Sequence, residues 1–160
     1  MGKYFITGNA GAGKSTVIAA LQRRGFTAHD TDDLPEVTLR VKPKHSELEY
    51  ANVWDRTALE KLLASDDDVF IGASVSNQDE FYSLFDKLFC LSIGKEALEH
   101  RLRTRTNNNF GNDPSHRQFI LDIHDRVETN LRHVAAIIID ASLPIDDVVE
   151  EILAKTDVKR

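Results

Sequence analysis

One cysteine, one methionine, one tryptophan and four prolines are all that 160 residues supply of these types. A lone thiol excludes an internal disulfide framework and a cysteine-built metal site. Cys90 lies in the apolar run Leu88-Phe89-Cys90-Leu91, which predicts a buried, reduced thiol. No apolar stretch approaches the roughly 18 residues of a membrane span. The first strand starts almost at Met1 with no leader-like segment before it, so the expectation is a cytoplasmic protein with no membrane partner. The six histidines show no metal-ligand spacing. Positive charge is also short: Lys and Arg number 20 against 26 Asp and Glu, a net charge of -6. That balance argues against a nucleic-acid backbone as partner and leaves small molecules. Repeats, low-complexity tracts and linkers are absent, and 41% apolar residues suffice for one core, so a single domain over 1–160 is expected. No local pattern encodes the oligomeric state.

What is present is concentrated in Gly8-Asn9-Ala10-Gly11-Ala12-Gly13-Lys14-Ser15-Thr16, which matches G-x-x-x-x-G-K-[ST]. The apolar Tyr4-Phe5-Ile6 precedes it, and the periodic Val17, Ile18 and Leu21 follow, so a strand, a glycine-rich turn and a helix occur in the order a phosphate-binding loop requires. Glycines allow backbone turns that point successive N–H groups at phosphate oxygens. Lys14 brings a positive charge to the β- and γ-phosphates, and the Ser15 hydroxyl is placed for Mg²⁺. A helix N-terminus at Lys14 adds its dipole.

Beyond the loop, a helix from Lys14 to Arg24 ends at Gly25, and Phe26–His29 reads as a second strand ending in Asp30-Thr31-Asp32-Asp33. Carboxylates at a strand's carboxyl end face the ligand edge of an open α/β sheet. One of Asp30 and Asp32 can meet Mg²⁺ or its water while the other accepts a proton; a turn or helix N-cap uses the same residues. Leu34–Glu47, with two prolines and mixed charge, predicts a partly helical excursion carrying Arg40, Lys42 and Lys44. Asn52–Ala64 reads as one helix with Trp54 in its apolar stripe. Val69–Ile71 is a third strand, and Gly72, Ser74, Ser76 and Asn77 after it are candidate acceptor contacts or caps for a helix over Gln78–Phe85. Lys87–Ile93 is a fourth strand, followed by a helix from Lys95 to Thr106. On it Arg101 and Arg105 share one face, suited to phosphate oxygens, with Arg103 elsewhere. A short lid over 105–113, a long helix from Ser115 to His133, a fifth strand over Ala135–Ile139 and a helix over Ile145–Ala154 complete the chain. Asp140 lacks a following Glu and is read as a strand-end residue.

Strands alternating with helices, the phosphate loop placed first, Asp30-Thr31-Asp32 after the second strand and the arginine-bearing helix with its lid together resemble the small P-loop kinases, a group including shikimate, gluconate, dephospho-coenzyme A and adenylate kinases. The resemblance covers nearly the whole chain. It implies a three-layer α/β fold, a five-stranded parallel sheet in the order 2-3-1-4-5 with helices on both faces. It also implies ATP and Mg²⁺ as cofactors. Through the Asp-x-Asp of the shikimate and gluconate types it implies Asp30 beside Mg²⁺ and Asp32 at the acceptor hydroxyl. Arg101 and Arg105 match by place the arginines that meet the donor nucleotide, and Ala141–Pro144 falls where the adenine is wrapped. The Asp-Gly-x-Pro-Arg signature of adenylate-type enzymes and the triple glycine of shikimate kinase are both absent after the third strand, where Gly72-Ala73-Ser74 stands.

The expected function is therefore transfer of the γ-phosphate of ATP to a small acceptor, through a hydroxyl. Lys14, Asp32 and Arg105 are expected to carry the catalysis, residues 8–16 with Arg101 and Arg105 the nucleotide, Ser15 and Asp30 the metal. Asp32, Arg40, Gly72, Ser74 and Asn77 are assigned to the acceptor. A nucleoside or nucleoside monophosphate acceptor, and an ATP-binding regulatory module with little catalysis, are the competing readings.

Overall fold

Short apolar strands alternating with amphipathic helices build the computed structural model of the chain, which describes residues 1–9, 11–44, 49–104, 113–134 and 136–158. In chain order the elements are β1 (Lys3–Gly8), α1 (Lys14–Arg23), β2 (Thr27–Asp30), β3 (Thr38–Val41), β4 (Ala51–Trp54), α2 (Arg56–Leu63), β5 (Val69–Gly72), β6 (Lys87–Ser92), α3 (Lys95–Thr104), α4 (Pro114–His133), β7 (Ile137–Asp140) and α5 (Ile145–Ala154). Two 3-10 segments, Thr31–Asp33 and Gln78–Leu84, follow β2 and β5.

Five strands form one parallel sheet in the order β2-β5-β1-β6-β7, which is the expected 2-3-1-4-5. β1 is central, with Phe5 opposite Ile71 on one side and Leu88 on the other. Covered on both faces, such strands read as continuous apolar runs. Tyr4 and Ile6 point into a cluster with Phe70, Phe89 and Leu91 beneath α1 and α5, while Phe5 points into a second cluster with Ile71, Trp54, Leu59 and Phe81 beneath α2. Aromatic rings hold the second cluster: Phe5 lies 5.0 Å from Trp54 and 5.1 Å from Phe85, centroid to centroid. Parallel register brings the ends of β1, β2 and β5 to one edge, with Asp30 opposite Gly72 and Gly72 opposite Ile6. The neighbours of β1 run off in opposite chain directions, so a crevice opens there. Among the described residues, no helix is long and apolar enough to cross a membrane.

Four local expectations require correction. Leu34–Glu47 is not helical where it is described: Thr38–Val41 is a strand, paired antiparallel with Ala51–Trp54 in a separate two-stranded sheet. The helix expected over Asn52–Ala64 covers only Arg56–Leu63, because the Asp55 carboxylate accepts from the Ala58 N–H at 2.9 Å and starts it there. Gln78–Leu84 winds as a 3-10 segment instead of an α-helix. The last strand sits two residues later than expected at its start. Residues 105–112 of the expected lid, Arg105 among them, lie outside the described residues, as does Ala10. Asp113 caps α4, accepting from Ser115 N at 2.8 Å.

Candidate active site

The turn between β1 and α1 is shaped by Gly13, which stands at φ 101° as the residue before α1. A side chain at that φ is strained, so glycine belongs there. No side chain caps α1 and its first turn carries no acidic residue, which leaves the helix N-terminus electropositive toward the crevice. Lys14 curls over the loop, its ammonium donating to the Gly8 and Asn9 carbonyls at 2.9 Å each. The buried Asn9 amide donates to Ile120 O at 3.1 Å and so ties the loop to α4. Asn9, Gly11, Ala12, Gly13, Lys14, Ser15 and Thr16 all line one cleft; Gly8 ends β1 just behind them.

Across from the loop stands the carboxylate pair. The Ser15 hydroxyl donates to Asp30 Oδ2 at 2.5 Å, so the two residues expected to share a metal are in contact. Both offer hard oxygen donors, the type Mg²⁺ takes beside phosphate oxygens and water. Asp30 also caps the 3-10 segment, its Oδ1 accepting from Asp32 N at 3.1 Å. Asp30 itself does not line the cleft; it touches Ser15, which does. The Asp32 carboxylate lines the cleft. Its tip meets water, yet the surrounding protein and then the charges of Asp30 and Asp33 push its pKa above the ordinary aspartate value, with Lys14 opposing. Thr31 between them is fully buried and points the other way.

The acceptor side divides. Arg40, on β3, and Ser74 line the cleft; the Arg40 guanidinium lies 4.1 Å from the centroid of the Tyr50 ring. Gly72 and Asn77 do not line it. A Cβ on Gly72 would stand 2.6 Å from Ile18 Cγ1, so this glycine admits α1 against β5 and faces away from a ligand. The Asn77 side chain is engaged with main chain, accepting from Trp54 N at 2.8 Å and donating to Trp54 O at 3.0 Å.

On the nucleotide side, Arg101 donates to Ala12 O at 3.2 Å and to Ala141 O at 2.5 Å, joining the first loop to the loop after β7. Arg103 points outward and pairs with Glu99, as its register predicts. Asp140 stays at the strand end, where Ser142 hydrogen bonds hold its carboxyl below the usual range.

Tyr50, just before β4, Asn52 on β4, and Phe119 and Ile123 on α4 also line the cleft. On α4, Arg126 lines the cleft, whereas His124 is buried beside Glu128. Among the described lining residues Lys14, Arg40, Arg101 and Arg126 oppose Asp32 and Glu49, so the cleft is basic in an acidic protein. Its volume of about 1360 Å³ exceeds that of a usual single-ligand pocket.

No family model and no curated protein matches this chain. Solved structures do. The chain is similar to a shikimate kinase from Acinetobacter baumannii in complex with shikimate, at TM-score 0.66 and 20% identity over 96% of this chain and 91% of that one. A gluconokinase from Sinorhizobium meliloti 1021 gives TM-score 0.61 and 20% identity over 96% and 90%. A deoxyadenosine kinase from M. mycoides gives 0.60 and 16% over 96% and 97%. At these identities the likeness is one of architecture, and the chain has the fold of the small P-loop kinases.

Proposed function

We propose that this protein is an ATP- and Mg²⁺-dependent phosphotransferase acting on a hydroxyl of a small molecule. The observation that carries this reading is the contact of Ser15 with Asp30 at 2.5 Å, with Asp32 lining the same cleft as Lys14. Loop amides, Lys14 and the α1 N-terminus bind the triphosphate; Ser15 and Asp30 hold Mg²⁺, which when bound neutralises phosphate charge. The acceptor oxygen attacks the γ-phosphorus, the bond from that phosphorus to the β–γ bridging oxygen breaks, the proton passes to Asp32 and ADP leaves. Elevation of the Asp32 pKa strengthens it as a proton acceptor. Arg40, Ser74 and Arg126 are assigned to the acceptor. Arg105 is proposed as a further contact to the transferring phosphate, by its place four residues after Arg101 in the sequence. Cytoplasmic residence is part of the same reading.

The exposed Tyr50 ring in the cleft favours a second reading, a nucleoside or nucleotide acceptor stacked on it. Acceptor-dependent ADP release across hydroxy acids, polyols, nucleosides and nucleoside monophosphates tests both. A response confined to nucleosides or their monophosphates selects the second reading. Failure to take up Mg²⁺-ADP in calorimetry overturns both.

A further inference from the structure

Trp54 joins three parts of the site without touching the cleft. Its indole N–H donates to Thr31 Oγ1 at 3.0 Å, and both groups are buried. Thr31 is the residue between the two carboxylates, and it is the inward member of a segment whose neighbours face the ligand edge. Its carbonyl accepts from Leu34 N at 3.1 Å and closes the 3-10 turn that presents Asp32. The main chain of Trp54 is gripped on both its N–H and its C=O by the Asn77 side chain, and one step away Ser76 N donates to Asn52 O at 2.8 Å. The loop after β5, which carries Ser74, is therefore bonded to β4, and β4 is bonded to the turn that carries Asp32. The ring itself cannot drift, because Phe5, Phe81 and Phe85 pack around it at 5.0, 5.5 and 6.1 Å.

A core tryptophan serving only as packing needs an acceptor for its N–H but has no reason to find it on the single residue separating the candidate metal carboxylate from the candidate base. We propose that Trp54, through its hydrogen bond to Thr31, is a positioning residue that sets Asp32 against the acceptor loop. This rests on the phosphotransfer reading given above. A sub-ångström misplacement of a proton acceptor lowers the chemical step while leaving ground-state binding nearly intact.

The test compares Trp54→Phe, Thr31→Val and Thr31→Ser in the full chain. The Mg²⁺-ADP Kd is measured by calorimetry, kcat and KM with the acceptor that releases most ADP, and the position of the Asp32 carboxylate relative to Ser15 by crystallography of parent and variants. Trp54→Phe and Thr31→Val are expected to lower kcat about 10-fold or more, with Kd and KM within about 3-fold of the parent. Thr31→Ser restores the hydroxyl and is expected to recover kcat to within about 3-fold. In Thr31→Val the Asp32 carboxylate is expected to shift from its parent position. Unchanged kcat in both variants, or a Thr31→Ser protein as impaired as Thr31→Val, overturns the proposal. Should the parent protein phosphorylate no acceptor, the phosphotransfer reading fails by itself. Crystal structures of the parent and Thr31→Val then decide: an unmoved Asp32 carboxylate overturns the positioning role, and a displaced one upholds it.

Discussion

Ser15 and Asp30 meet side chain to side chain, Oγ to Oδ2 at 2.5 Å, although one opens α1 and the other closes β2. The contact sets two hard oxygen donors side by side where α1 begins and β2 ends. On the proposed metal site, replacing Asp30 by Ala would leave Ser15 as the remaining protein ligand for Mg²⁺. The Mg²⁺ concentration giving half-maximal ADP production is expected to rise about 10-fold or more. A titration of activity against Mg²⁺ at fixed ATP reads this directly.

Asp32→Asn separates binding from chemistry. Turnover with the best acceptor is expected to fall at least about 100-fold, while Mg²⁺-ADP uptake in calorimetry stays near the parent value. In the parent, turnover is lost as pH falls through the raised pKa of Asp32, because the protonated carboxyl cannot accept a proton.

The same group affects stability. Its folded-state pKa lies above its unfolded value, so the folded state holds the proton more tightly. The stabilisation from that proton is complete below the unfolded pKa and is lost as pH rises through the folded pKa. Thermal unfolding should therefore show Asp32→Asn with a higher midpoint than the parent at pH 7, and the gap closing near pH 3.

Burial, and then the charge of Glu128, push the Cys90 thiol up to about 11. At pH 8 that leaves roughly one thiolate in a thousand, and the sulfur is also inaccessible. An ordinary thiol is about one-tenth thiolate at that pH, so Ellman's reagent is expected to label the native protein about 100-fold more slowly than the protein in denaturant on ionisation alone, and more slowly still through burial. Prompt labelling of the native state would contradict the burial.

Gly72 offers a packing test. Gly72→Ala places a Cβ 2.6 Å from Ile18 Cγ1 and is expected to cost about 1–3 kcal/mol in urea unfolding. Combined with Ile18→Ala, the total loss should fall short of the sum of the single losses by about 1 kcal/mol or more.

The sheet, its order and the loop after β1 were legible because each rests on local information: apolar runs of strand length, a motif of fixed spacing and the order of elements. The hairpin was not. Its strands pair across nine intervening residues, Leu39, Arg40 and Val41 are exposed, and two prolines in the segment point to loop. Val53 and Trp54 fit the apolar period of the helix that follows, and that period masks the Asp55 cap, the local signal against a single helix. Gly72 misled for a different reason. It stands at the ligand edge, but strand parity sets it on the Phe70 face, toward α1, while Ile71 and Ala73 face the other way. Tyr50 and Arg126 reach the cleft only through tertiary assembly, which no window of sequence contains.

The chain's one tryptophan, sunk among phenylalanines, ends its N–H on the residue separating the two candidate ligands of metal and proton. Emission excited at its absorption edge therefore comes from a single known address, free of any averaging over other indoles. The molecule carries a single built-in optical reporter, hydrogen-bonded to the turn that presents Asp32.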